Sequence, residues 1–166
     1  MAEFTSILEF MQRLPIQKAL SNQRLVFRSH IRRFWDNATY DEEHKTINSI
    51  VSINEEDKPI IITEQLVREV INFPDDENSP TKFPERMVKG CMLRMGYNGD
   101  LNKANYLKAC FPKAYKFLIH SVLLALSHRK GGYDVMRDYQ MNMVTTLMLN
   151  KKYNFSKVVF HYLAEK

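Results

Sequence analysis

Two cysteines in 166 residues, Cys91 and Cys110, are too few and too far apart to build a zinc ribbon or a disulfide framework. Each sits among apolar neighbours, so the expectation is a pair of buried free thiols in a reducing compartment. Glycine (5) and proline (6) are also sparse, no Ser-rich or Pro-rich tract occurs, and nothing repeats at a fixed period. Long flexible linkers and solenoids are thereby excluded. Nowhere do 18 uncharged apolar residues follow one another, and the first seven residues lack a basic stretch leading into an apolar run. No membrane span, secretory leader or membrane partner is expected. Gly does not follow Met1, and Ala164-Glu165-Lys166 carries no lipidation signal. The expected location is intracellular, in cytoplasm or nucleus.

The motifs of catalysis are missing too. There is no G-x-S-x-G elbow, no phosphate-binding G-x-x-x-x-G-K loop, no dinucleotide G-x-G-x-x-G turn and no H-E-x-x-H helix. The histidines are His30, His44, His120, His128 and His161, and none stands three or four residues from a Cys or another His. No metal site, cofactor, small-molecule substrate or catalytic residue is therefore expected, and the chain reads as a non-enzymatic module. His120 has two readings: a buried base beside the Ser121 hydroxyl, or a core histidine donating to a backbone carbonyl. The second needs no acid partner, and none is assignable. The acidic runs Asp41-Glu42-Glu43, Glu55-Glu56-Asp57 and Asp75-Asp76-Glu77 read as solvated turns rather than convergent ligands.

What is present is large side chains: 45% of residues are hydrophobic, including 10 Phe, 8 Tyr and 9 Met, which suffices for one core in one domain. Helical spacing marks residues 3–14, closed by Pro15, and a short turn at 16–20. A longer helix over 22–38 carries Phe27, Ile31, Phe34 and Trp35 on one stripe and arginines on another. β-branched residues on either side of an acidic turn predict a hairpin over 46–62, although Ile50 breaks its alternation. Thr63 then caps a helix ending before Phe73-Pro74, and Pro84 opens another that Gly96 closes. Residues 114–126 are apolar nearly all round and are expected at the centre of the bundle. Two helices, 135–151 and 156–164, separated at Asn154, complete the chain. The fold class is thus mainly α: a single compact domain of about seven helices with one small hairpin. Residues 1–20 form an N-terminal helical extension and 21–166 the domain proper.

Two features bear on partners. Arg24, Arg28, Arg32 and Arg33 line one face of the 22–38 helix, three of them one turn apart over about 12 Å, enough to meet a few phosphates. An arginine face opposite a Phe/Trp stripe is also what an ordinary exposed helix shows. With a net charge of +5, nucleic-acid contact would be weak and independent of sequence. Met87, Met92, Met95, Met141, Met143 and Met148 suit either irregular core filling or self-association through exposed sulfur-rich surface.

The string Ser29-His30-Ile31-Arg32-Arg33-Phe34-Trp35-Asp36-Asn37-Ala38, followed by Ile60-Ile61-Ile62-Thr63-Glu64, resembles the plant transposon protein domain, the N-terminal Gag-like region of plant retrotransposon polyproteins. So do Lys116-Phe117-Leu118-Ile119-His120-Ser121-Val122-Leu123 and Asn154-Phe155-Ser156-Lys157-Val158-Val159-Phe160. The likeness runs from about Leu20 to Leu163. It implies a Gag-like or accessory domain of a retrotransposon, working by protein–protein assembly with itself or with other retroelement proteins, and it supplies no catalytic residues. The chain has no Cys/His zinc knuckle, no aspartic-protease D-T-G or D-S-G, and no Y-x-D-D polymerase motif.

Overall fold

The computed structural model describes residues 2–18, 27–126 and 134–165, with the side chains of 2–4 and 123–126 excepted. Among these residues seven α-helices dominate: α1 (Ala2–Gln12), α2 (Arg28–Asp36), α3 (Glu64–Ile71), α4 (Glu85–Arg94), α5 (Lys113–Leu126), α6 (Asp138–Leu149) and α7 (Phe155–Ala164). They surround a three-stranded antiparallel sheet in the order β1 (Thr39–Asp41), β2 (Thr46–Ile53), β3 (Glu56–Ile62). A second ladder pairs β4 (Tyr106–Leu107) with β5 (Val135–Met136). The class is mixed, helix-dominated with a small sheet. The expected hairpin gains β1, and Val135–Met136, expected to open a helix, is a strand.

The helix ends follow local chemistry. Thr63 Oγ1 accepts the Leu66 N–H at 3.0 Å, as an N-cap should. Gly96, at φ +76°, donates to the Leu93 carbonyl while Tyr97 N–H reaches back to Met92, a Schellman closure of α4. Asn72 and Asn150 end α3 and α6 in the same left-handed conformation without being glycine. Pro84 precedes α4 as its N-cap rather than occupying its first turn.

In β2 the inner residues Ile47, Ser49 and Val51 are buried and pack under α2, where Ser49 Oγ donates to the Phe34 carbonyl at 2.6 Å. Asn48, Ile50 and Ser52 face outward, which explains the broken alternation: Ile50 is an apolar residue on the solvent side. The inner residues join a core that reaches Leu14 and Ile16 behind α1.

The centre of the molecule is α6, not α5. Eight consecutive residues of α6, Gln140 to Leu147, are buried. Most of its polar members are satisfied: Gln140 accepts from the Arg137 N–H, Asn142 accepts from the Phe83 N–H and donates to the Asp138 carbonyl, and Thr146 donates to the Lys151 carbonyl, whereas the Thr145 hydroxyl has no hydrogen-bond partner among the described residues. In α5, by contrast, Leu118, Ile119 and Val122 are buried while Phe117 and His120 are exposed. α5 is one-sided over its described side chains, and α1 packs against it.

Candidate functional site

α2 carries three of the four arginines singled out from sequence; Arg24 lies outside the described residues. Arg32 Nε stands 3.7 Å from Asp36 Oδ2 and Arg33 Nη2 stands 3.3 Å from Asp57 Oδ1 on β3. Arg28, one turn before Arg32, makes no ion pair among the described residues. These pairs are exposed and cost little to break, yet they commit two of the three guanidinium groups to the chain's own carboxylates.

The apolar stripe of α2 divides along its length. Phe34 is buried and Trp35 half-buried, their rings meeting edge-on at 5.0 Å. One and two turns earlier on the same stripe, Ile31 and Phe27 are 48% and 60% exposed. The helix therefore overruns the sheet that covers its C-terminal half. Phe27 lies just before the helix with its ring 5.2 Å from that of His30. A second uncovered apolar set lies on the sheet's outer face. Asn48 faces Ile61 and Ile50 faces Pro59 in the register, which makes the exposed Ile50 and Ile61 diagonal neighbours.

The methionines do not contribute to this surface. Met92, Met95, Met141 and Met143 are buried, and Met87 and Met148 are half-buried against the core, so they fill it. Of the two thiols, Cys91 is buried and burial pushes its pKa up, whereas Cys110 is half-buried rather than sealed.

Neither reading of His120, the buried base or the core histidine, fits its place. His120 is at the surface, with Nδ1 3.3 Å from Lys108 Nζ, and Ser121 Oγ donates to the Phe117 carbonyl instead of to His120. Among the described residues no group of three His, Cys, Asp or Glu side chains could hold a metal ion. The larger clefts include one of about 460 Å³ between α1 and α5, with Phe10, Tyr115 and Met148 in its walls, and one of about 610 Å³ beside α7, with Tyr40, Lys45, Lys157 and Glu165. The second also holds Glu64 and His161, whose Nε2 stands 3.2 Å from Glu165 Oε1, but has no Ser, Thr or Cys in its walls, while the first has Ser6 and no base beside it.

One acidic run departs from the solvated-turn reading. Asp75 has a fully buried carboxylate that accepts from Arg68 Nε at 2.9 Å, from Ser156 N–H at 2.7 Å and from Ser156 Oγ at 2.9 Å. Arg68 also donates to Glu64 Oε1 at 2.6 Å and Gln65 Oε1 at 2.8 Å, and Asn154 Nδ2 donates to the same Glu64 oxygen. Burial pulls the Arg68 pKa down, but its bonds to Asp75 and Glu64 outweigh this and hold the guanidinium charged. No sequence pattern flags this network, because its bonds join residues as many as 90 positions apart. The other two runs are turns only in part: Glu56 and Asp57 belong to β3, where Asp57 pairs with Arg33, and Asp41, at the end of β1, accepts the Glu43 and His44 N–H groups of the following turn and lies 2.8 Å from His44 Nδ1. Those bonds, that from the His44 N–H foremost, lower the Asp41 pKa.

Among the described residues no helix is long and apolar enough to cross a membrane. Comparison with family models, with curated proteins and with solved structures returns no match to this chain.

Proposed function

We propose that the chain is a non-enzymatic, retroelement-derived domain of Gag-like or accessory type that acts by assembling with further copies of itself. One observation carries the reading: the apolar stripe of α2 continues past its cover and leaves Phe27 and Ile31 largely exposed. The resemblance of the surrounding string, residues 29–38, to the Gag-like plant transposon domain supports the same reading. A second copy suits this patch, because the acidic runs at 41–43 and 55–57 supply carboxylates for Arg28 at its border, which makes no ion pair among the described residues.

Light scattering over a concentration series tests it. The wild-type mass should rise with concentration, while Phe27→Asp with Ile31→Asp should stay monomeric. A wild type that is strictly monomeric up to about 1 mM, where even weak contacts populate, would remove the proposal.

A second reading, a weak sequence-independent nucleic-acid contact through Arg24, Arg28, Arg32 and Arg33, is favoured by Arg28, which has no ion pair among the described residues and follows the exposed Phe27. It is the weaker of the two, since Arg32 and Arg33 already face Asp36 and Asp57.

A further inference from the structure

The positive charge of this protein is concentrated in one place. Residues 101–133 contain six Lys and Arg and no Asp or Glu, whereas the other 133 residues hold 18 Lys and Arg against 19 Asp and Glu. The whole excess therefore belongs to 33 consecutive residues, and the remainder carries −1. α5 lies inside this stretch and contains no acidic residue.

The fold turns that composition into a face. Lys113, Lys116, Phe117 and His120 stand at i, i+3, i+4 and i+7, within one arc of about 100° on a helix of 3.6 residues per turn. Leu118, Ile119 and Val122 occupy the opposite arc and are buried. Lys113 and His120 are exposed, Lys116 is half-buried, and Phe117 is 39% exposed between them. Lys108, from the short 3-10 turn before α5, brings its ammonium to 3.3 Å from His120 Nδ1 and extends the face beyond the helix. None of Lys108, Lys113 and Lys116 is ion-paired among the described residues. Asp134, which closes the acid-free stretch, meets Lys108 through its backbone carbonyl at 2.8 Å.

We infer that this α5 face binds single-stranded nucleic acid, with Lys108, Lys113 and Lys116 on the phosphates and a base against the Phe117 ring. Ammonium groups with no carboxylate partner among the described residues, set around an exposed aromatic ring, are what sequence-tolerant single-strand binding requires, and the about 10 Å from Lys113 to His120 spans a few phosphates. An anionic membrane fits less well. Interfacial helices insert a wide apolar face, whereas the buried arc of α5 is already spent on the core and leaves one ring. This inference rests on residues distinct from those of the assembly surface, and the two can fail separately.

Fluorescence anisotropy with a labelled oligothymidylate of about 16 nucleotides, the upper site size of a single-strand module, tests it across a salt series. Lys113→Glu with Lys116→Glu should weaken binding at least tenfold, and Lys113→Gln with Lys116→Gln should reduce the salt slope by about one to one and a half, for two lost phosphate contacts. Phe117→Ala should weaken binding several-fold without changing that slope. The assignment is overturned if the Lys113 and Lys116 variants bind as the wild type does. It is equally overturned if the loss follows Arg28→Glu with Arg32→Glu instead, or if the wild type ignores the oligonucleotide and binds phosphatidylserine vesicles.

Discussion

The Tyr153 ring is 1% exposed, packed edge-on against Phe155 at 4.9 Å and near Phe83 at 6.0 Å, and its hydroxyl has no hydrogen-bond partner among the described residues. A buried hydroxyl without a partner forfeits its hydration and receives nothing in return, at about 1–3 kcal/mol. Tyr153→Phe keeps the ring and removes the orphan, so it should raise stability by about 1 kcal/mol, read as a higher urea midpoint at unchanged slope. The same site sets an alkaline limit. Burial raises the pKa of Tyr153, pushes that of Tyr162 up to about 12 and raises that of the Cys91 thiol. Each group keeps its proton longer in the folded chain than in the unfolded one. The stability this provides is complete below the ordinary thiol and phenol values, about 8.5 and 10, and disappears as pH rises through the folded values. Tyr153→Phe should therefore show a shallower loss of stability above about pH 10 than the wild type. Parallel profiles for the two proteins would contradict the account.

At the scale of elements, the sheet shows how a free edge is managed. Asn54 and Glu55 both hold positive φ, 54° and 67°, and form a two-residue turn between Ile53 and Glu56. Such a turn makes Ile53–Glu56 a hydrogen-bonded pair, and alternation then directs the backbone groups of Asp57, Pro59 and Ile61 to the open side of β3. Pro59 thus sits where its missing N–H deprives an incoming strand of a donor, next to the run Ile60-Ile61-Ile62. Pro59→Val should expose a pairing edge, with β-type aggregation measured by thioflavin fluorescence or the amide I band. A variant no more prone to such aggregation than the wild type would refute the blocking role. This element also marks what sequence could and could not supply. The β-branched runs and the acidic turn located β2 and β3, and Thr63 and Gly96 fixed the ends of α3 and α4, because each signal is local. β1, β4 and β5 are two or three residues long, too short to carry a period of two. The central place of α6 is not legible in the same way, because its Gln, Asn and Thr residues look solvent-facing until their partners in space are known. The exposure of Phe27 and Ile31 was illegible for a related reason: helical spacing shows that a stripe is apolar, not how far its cover extends.

At the scale of the whole molecule, the Asp75 network is what joins the middle of the chain to its end. It links α3 through Arg68 and Glu64, the segment after α3 through Asp75, and the first turn of α7 through Ser156 and Asn154. The Asp75 carboxylate serves α7 twice, since it accepts the Ser156 N–H left unpaired by the start of the helix and lies at the positive end of the helix dipole. Beneath it, Phe73 stacks on Phe155 at 5.5 Å, so the polar clamp and the aromatic contact hold the same junction. Arg68 is 11% exposed at its side chain and Asp75 is not exposed at all, which places the pair in the regime where losing one partner is worse than losing both. Asp75→Ala should cost about 3–5 kcal/mol by leaving a buried guanidinium short of its counter-charge. Arg68→Met combined with Asp75→Leu removes both charges and should recover a large part of that loss, while the α7 N–H that Asp75 had capped stays unsatisfied. Urea denaturation of the wild type, Asp75→Ala, the single variants Arg68→Met and Asp75→Leu, and the double variant measures the difference. If the double variant is as unstable as the sum of its single changes, the clamp is not an interacting charge pair, and the junction of α3 with α7 rests on the Phe73–Phe155 packing instead.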